Sequence, residues 1–319
     1  MFRLESKAFK PKEKTVNFIL MDGGAGDHMA SLVALDYIAN RYSWIRMLIW
    51  VPDYLLEFTK HVLPKGLAVN DYTSMARHYD EHKATKTTKW DEITSPMKIH
   101  CLDYAFLKLC DENPDVTYKN YLQIKPEKIN IKHLNLPEKY LVITTGYTAS
   151  VREFPAQHVN AVAAYAKEKG YEIVFLGQTQ TATGSAHTIK GNFNDEVNLA
   201  AGLNLINKTS LLEAAKIMGQ AKAVLGVDNG LLHVAGCTQV PIVGGFTTVS
   251  PEIRMPVRNN ALGWNYYPVT PDVTLGCAFC QEKTNFLYGH DYRNCLYKDN
   301  LCTKQMTSDK FIAQLEKIL

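Results

Sequence analysis

The sequence predicts an α/β protein of two parallel-sheet lobes facing a central cleft. Three observations carry this expectation. Strands alternate with helices in both halves, a Lys- and Pro-rich stretch separates the halves, and each half sets a glycine turn between a strand and a helix. Such alternation builds parallel sheets through right-handed crossovers, and ligands then sit beyond the carboxyl ends of the strands. Both glycine turns fall at such ends.

TVNFILM (15–21) is a short apolar run and reads as a strand. It ends in Asp22-Gly23-Gly24-Ala25-Gly26-Asp27, after which HMASLVALDYIANRY (28–42) has apolar residues at helical spacing. WIRMLIWV (44–51) is a second strand. Residues 53–120 read as short mixed pieces, with the charged HYDEHKATKTTKWDE (78–92) as an exposed loop. IKPEKINIKHLNLPEK (124–139) has little periodicity and reads as the linker.

The pattern then restarts. YLVITTG (140–146) is a strand, and FPAQHVNAVAAYAKEKG (154–170) a helix with Pro155 near its first turn and Gly170 at its stop. YEIVFLGQ (171–178) is a strand, and TSLLEAAKIMGQA (209–221) a helix opened by a Thr or Ser cap. KAVLGV (222–227), GLLHVAGC (230–237) and VPIVGGF (240–246) read strand, helix, strand. TSDKFIAQLEKIL (307–319) is an amphipathic helix. The expected organisation is two Rossmann-like lobes over 1–135 and 136–306, with helix 307–319 packing back on the first.

Composition narrows the class. The 319 residues suit about two domains, and 46% hydrophobic with 21% charged residues is ordinary for a globular chain. A net charge of +3 neither demands nor excludes a polyanionic partner. No apolar run reaches the roughly 18–20 residues of a membrane span. The opening MFRLESKAFKPKEK lacks the apolar core of a signal peptide. The expectation is a cytoplasmic protein, either free or in peripheral contact with the inner face of the membrane. Of seven cysteines, Cys101, Cys110 and Cys237 lie in apolar segments as small core residues. An odd total in such a protein argues against a disulfide scaffold.

The stretch VLGVDNGLLHVAGC (224–237) carries the clearest chemistry. A strand that meets a helix through glycine leaves backbone N–H groups and a positive dipole end free for a phosphate. Gly230 permits close approach, Asp228 pins the turn, and His233 lies one turn on. A tight turn beside a core histidine is the bland alternative. For Asp27 that alternative is an N-cap carboxylate on a glycine turn.

With its flanks, this segment resembles the donor-binding region of the heptosyltransferase-type glycosyltransferases, glycosyltransferase family 9. Thr209-Ser210-Leu211 with Glu213, Asp228-Gly230-His233-Ala235 and Pro241-Val243 follow that family's T-S-L-x-E, D-x-G-x-x-H-x-A and P-x-V in order. Phe246-Thr247-Thr248-Val249-Ser250-Pro251 departs from its F-G-x-T-x-P, with Thr in place of Gly. Gly23-Gly24-Ala25-Gly26-Asp27 matches G-x-x-G-D. Ser150-Val151-Arg152-Glu153-Phe154-Pro155 matches S-x-K-x-W-P with Arg for Lys and Phe for Trp.

The resemblance implies the GT-B type fold and an inverting sugar transfer, with Asp27 as catalytic base and Arg152 as the cation on the leaving diphosphate. It implies a nucleotide-diphosphate sugar donor, such as ADP-heptose, on Asp228, Asn229, Gly230, Leu231 and His233. Thr148 and Ser150 would support the phosphates, Gly177 would line the base pocket, and Glu213 would reach the ribose or lie on the surface. The acceptor-side loop takes in Gly23, Gly24, Gly26 and His28. No D-x-D metal motif appears, so no cofactor is expected for catalysis.

Cys277, Cys280, Cys295 and Cys302, also familial in placement, either close a structural zinc site or pack as reduced thiols. The implied acceptor is a lipopolysaccharide core saccharide. Lys83, Lys86, Lys89 and Trp90, with Arg41, Trp44 and Arg46, keep hydroxymethylated DNA as an alternative acceptor. A nucleotide-sugar epimerase and a non-catalytic nucleotide-sugar binder compete with the transferase reading. A plain dinucleotide-binding dehydrogenase is the weaker reading, because Gly23 to Gly26 does not give G-x-G-x-x-G.

Overall fold

The structure, a computed structural model, describes residues 14–20, 24–71, 84–88, 99–145, 150–178, 197–272, 274–283, 295 and 297–319. The first lobe runs β1 (Lys14–Leu20), α1 (Ala25–Arg41), β2 (Ile45–Val51), α2 (Asp53–Val62), β3 (Ala68–Asp71), β4 (Ala84–Thr88) and α3 (Cys101–Cys110). Its parallel sheet has the order β3-β2-β1-β4. β1 is central, which explains its nearly unbroken apolar run: Val16, Phe18 and Leu20 are fully buried. Its one interior polar residue, Asn17, accepts a hydrogen bond from Trp50 Nε1 at 3.4 Å.

Residues 84–88 correct the expectation of an exposed loop over 78–92. They form the edge strand β4 beside β1, and Lys86 is largely buried against Asp111 at 2.5 Å. Its sequence, Ala-Thr-Lys-Thr-Thr, lacks the apolar alternation by which strands are read. The linker is likewise tied down. It holds short 3-10 turns at Pro126–Lys128 and Lys132–Leu134, with Ile124, Ile129 and Ile131 buried. Tyr121 N–H bonds Val257 O at 2.8 Å and Ile124 N–H bonds Cys237 O at 3.0 Å. The chain therefore engages the second lobe well before residue 135.

The second lobe continues with β5 (Tyr140–Thr145), α4 (Ala156–Glu168), β6 (Glu172–Gly177), β7 (Leu203–Asn204), α5 (Leu211–Gln220), β8 (Val224–Val227), α6 (Gly230–Gly236), β9 (Ile242–Gly245) and α7 (Pro251–Arg254). A small hairpin, β10 (Val257–Arg258) and β11 (Ala261–Leu262), leads to β12 (Tyr266–Val269), α8 (Cys280–Lys283), α9 (Leu301–Lys304) and α10 (Ser308–Leu315). The parallel sheet has the order β12-β9-β8-β5-β6-β7. The chain leaves β5 toward β6 and β7, then returns to β8 on the other side. That reversal opens a crevice beyond the carboxyl ends of β5 and β8, where ligands bind in open α/β sheets.

Buried Arg258 staples the stretch after α7. It donates to the carbonyls of Thr238, Val240, Trp264 and Asn265 at 2.7–3.1 Å. Burial pulls its pKa down to about 10. Helix α10 does not return to the first lobe as expected. Phe311 stacks on Phe154 at 4.1 Å, and Tyr165 Oη donates to Glu316 at 3.0 Å, so α10 closes the second lobe. Its apolar face finds a partner in α4 and the adjoining sheet, which the 3.6-residue period alone does not identify. Among the described residues no helix is long and apolar enough to cross a membrane. Phe311 is fully buried, so Phe311→Ala is expected to cost about 3–5 kcal/mol, read as a lower midpoint of denaturant unfolding.

Candidate active site

The starts of α1 and α6 meet head to head between the lobes. A Cβ added at Gly26 would lie 2.4 Å from His233 Cδ2, and one at Gly230 would lie 2.9 Å from Ala25 Cβ. Neither contact tolerates a side chain, so these two glycines are required by close approach. Asp27 sits in the first turn of α1. Its Oδ2 accepts the Gly24 N–H at 2.9 Å, and its Oδ1 lies 3.2 Å from Arg254 Nη1. It therefore caps its helix and also faces the second lobe.

Asp228 follows β8 and is 8% exposed. Three groups surround it: Arg152 Nη1 at 3.6 Å, His233 Nε2 at 3.6 Å and Arg254 Nε at 3.9 Å. Burial by itself would raise its pKa, but Arg152, the His233 hydrogen bond and Arg254 outweigh burial and hold it well below the usual carboxylate range. For Arg254, burial disfavours the charge, while Asp228 and Asp27 hold the pKa above its ordinary value. Arg254 thus touches a carboxylate from each lobe.

His233 is oriented from behind. Its Nε2 faces a carboxylate that cannot donate, so Nε2 carries the proton and Nδ1 accepts the Tyr121 hydroxyl at 2.9 Å. Tyr121 Oη in turn lies 3.9 Å from the thiol of buried Cys101. His100 Nδ1 accepts the Leu102 N–H at 3.1 Å, which leaves its Nε2–H for Met255 O at 2.9 Å. Although burial works the other way, His100, His233 and Arg254 lower the Cys101 thiol pKa. A polar row therefore runs from α3 through Tyr121 to Asp228.

The other sequence candidates divide. Asn229 caps α6: its Oδ1 accepts the N–H groups of Leu231 at 3.0 Å and Leu232 at 3.2 Å. Gly230 lies against Ala25, and Gly177 ends β6 with its carbonyl on the Asn207 N–H at 3.0 Å. Glu213 is occupied by local structure. It forms a capping box with Ser210 and sits 3.4 Å from His133. His28 is fully buried with its ring edge-on to Tyr54. Ser150 opens the short turn that carries Arg152. Gly23 and Thr148 lie outside the described residues.

Cys277, Cys280 and Cys295 lie near enough to Cys302 to act on it: burial first, then these neighbours, push its thiol up to about 12. Among the described residues no His, Cys, Asp or Glu group of three or more is gathered to hold a metal ion. Of the basic residues suggested for DNA, Lys86 is paired with Asp111 and Arg41 lies 3.8 Å from Glu112. Lys83, Lys89 and Trp90 lie outside the described residues. A cavity of about 650 Å³ beside the linker, lined by Lys128, Lys132 and Lys216, lies apart from these carboxylates. Convergent charge, rather than cavity size, marks the site between the lobes. Sequence reasoning missed Arg254, whose signal was a cation three residues after Pro251, and Tyr121, which carried no signal.

Comparisons with known proteins agree with this fold. A family model described as glycosyltransferase family 9 (heptosyltransferase) matches residues 58–281. Lipopolysaccharide heptosyltransferase 2 of Salmonella typhimurium and that of Escherichia coli are each 27% identical over 110 residues. Those matches cover 34% of this chain and 31% of the relative, so the chain spans about a third of their length. Dodecameric iron-containing heptosyltransferase TibC, solved with ADP-D-beta-D-heptose, superposes with a TM-score of 0.71 at 15% identity, over 99% of this chain and 80% of that one. Escherichia coli ADP-heptose lps heptosyltransferase II gives 0.62 at 13%, over 95% and 98%. The fold is accordingly the two-lobed GT-B type.

Asp228→Asn would take the carboxylate from Arg152 and leave Arg254 with Asp27 alone, and is expected to cost about 3 kcal/mol at neutral pH. Because the folded-state pKa is depressed, this stabilisation is present above the unfolded value near pH 4 and lost as pH falls below it. Unfolding midpoints measured from about pH 7 to pH 2 should therefore converge for the two proteins at the acid end.

Proposed function

We propose, on the premise that this chain belongs to glycosyltransferase family 9, that it moves a sugar from a nucleotide-diphosphate donor to a saccharide hydroxyl with inversion. The observation that carries the reading is the meeting of Asp27 and Asp228, one from each lobe, on a shared guanidinium. The acceptor oxygen attacks the anomeric carbon and forms the new C–O bond. The bond from that carbon to the diphosphate breaks, and its electron pair leaves with the phosphate. The acceptor proton passes to Asp27. General-base help of this kind supplies about 10²–10⁴ in rate.

Negative charge grows on the leaving diphosphate, so cations placed in a water-poor crevice stabilise the transition state more than the ground state. Arg152 and Arg254 supply that charge in this reading, with His233 as a hydrogen-bond donor, and no catalytic metal is required of them. The donor is ADP-heptose-like and the acceptor a lipopolysaccharide core sugar. Support for both comes from the substrates named for TibC and the heptosyltransferase 2 relatives. The work would take place in the cytoplasm, at or near the inner face of the membrane.

Asp27→Asn is expected to abolish transfer of labelled sugar from ADP-heptose to core lipopolysaccharide while donor binding survives. Normal turnover by that variant would remove the base assignment. Cys277, Cys280, Cys295 and Cys302 are proposed as donors for a structural zinc ion, on the chemistry of four thiols near one another. The thiols would have to draw closer than they stand here. Metal analysis is expected to find one zinc per chain, and chelation to lower the melting temperature while leaving initial rates of the still-folded enzyme intact. Metal-free protein with an unchanged melting temperature would overturn the site.

A further inference from the structure

Both oxygens of Asp27 are already engaged. One accepts its own helix's Gly24 N–H at 2.9 Å and the other is held by Arg254 at 3.2 Å. A carboxylate held by a guanidinium takes up a proton poorly, so Arg254 must let go before Asp27 works well as a base. Arg254, in contrast, is incompletely served. Its Nε is buried with no hydrogen-bond partner among the described residues, and stands 3.9 Å from Asp228 Oδ2. A buried donor left unpaired is costly, and native structures rarely keep one without a use for it.

We propose that Arg254 is a donor-operated latch on the base: it holds Asp27 in the empty enzyme and turns to the diphosphate when the donor arrives, releasing the Asp27 carboxylate toward the acceptor. The proposal rests on the reading of the gap between Asp27 and Asp228 as the transfer site. Charge counting supports it. Two carboxylates and the guanidiniums of Arg152 and Arg254 balance one another. An incoming diphosphate competes for the same two cations, and Asp27 is the carboxylate placed to yield. Asp228 is the more buried of the two and is contacted by three partners, whereas Asp27 is 20% exposed and holds Arg254 alone across the lobes.

A carboxylate that loses its guanidinium holds a proton more tightly. Donor binding would therefore arm the base, and acceptor would be deprotonated only with donor in place. The enzyme gains protection against unproductive turnover, because the base is quenched whenever the sugar is missing. The backbone beside Arg254 is held at Met255, whose N–H bonds Pro251 O at 2.8 Å and whose carbonyl accepts His100 Nε2–H at 2.9 Å, so the guanidinium can exchange partners from a fixed anchor.

Calorimetric titration with inorganic pyrophosphate and with ADP tests this in the full chain. The set is wild type, Arg254→Gln, Asp27→Asn, Asp27→Ala, the Arg254→Gln/Asp27→Ala double variant and Arg152→Gln, each with its melting temperature. Arg254→Gln should weaken binding about tenfold, the scale of one charge-assisted contact. Asp27→Ala, and less strongly Asp27→Asn, should tighten it severalfold, because the guanidinium no longer has to leave a carboxylate. In the Arg254→Gln background that gain should vanish. Equal tightening in both backgrounds would mean simple relief of repulsion and would overturn the latch, as would no tightening in either. If Arg254→Gln does not fold, Arg254→Lys replaces it, with a smaller loss and a reduced gain from Asp27→Ala. Loss of binding in Arg152→Gln without the Asp27 effect rejects the latch alone. Wild type that binds neither probe, or Arg152→Gln that binds like wild type, rejects the transfer-site reading itself.

Discussion

One buried charge cluster organises this molecule: Asp228 at the tip of β8, flanked by Arg152 and Arg254, with Arg254 reaching on to Asp27 of the other lobe. A carboxylate moved from water into such surroundings loses several kcal/mol of hydration, and only paired cations compensate it. The cluster therefore cannot form piecemeal. The β5–α4 connection brings Arg152, the turn after β9 brings Arg254, and α1 brings Asp27. Their meeting point lies at the reversal of strand order, where the backbone leaves a crevice.

The geometry around the cluster explains the small residues beside it. Gly26 and Gly230 let two helix starts approach until the His233 ring rests on one backbone and Ala25 rests on the other. His233 is then braced from behind by Tyr121, so that its protonated nitrogen points at Asp228. Orientation of this kind is what a transition-state contact needs, since a donor held in place avoids reorganisation at the moment of reaction. The segment that carries Tyr121 is itself bonded to the second lobe through Val257 and Cys237. First-lobe and linker residues thus help to shape a pocket that the motifs assign to the second lobe.

Several side chains at functional motif positions also have structural contacts. Glu213 stands where the motif places a ribose contact, yet its carboxylate completes a capping box and meets His133. His28 is one residue from the proposed base, yet lies on the inward side of α1. Adjacent helix positions point about 100° apart, so one residue decides between cleft and core. The same reasoning covers Asn229, whose side chain caps α6 and uses the Leu231 N–H.

The sequence by itself determined the two-lobed α/β plan, the main strands and helices, and the pairing of a glycine loop with an Asp-Asn-Gly turn. These follow from local apolar periodicity and turn chemistry, which neighbouring residues carry among themselves. Only the tertiary structure decided that 84–88 joins the sheet, that α10 closes the second lobe, and that Arg254 and Tyr121 belong to the site. An edge strand of mostly threonine, a helix face with two candidate partners, and groups 227 and 112 residues from the partners they meet have no local signature. Long-range electrostatics and packing select among arrangements that the chain's near-neighbour pattern leaves equal.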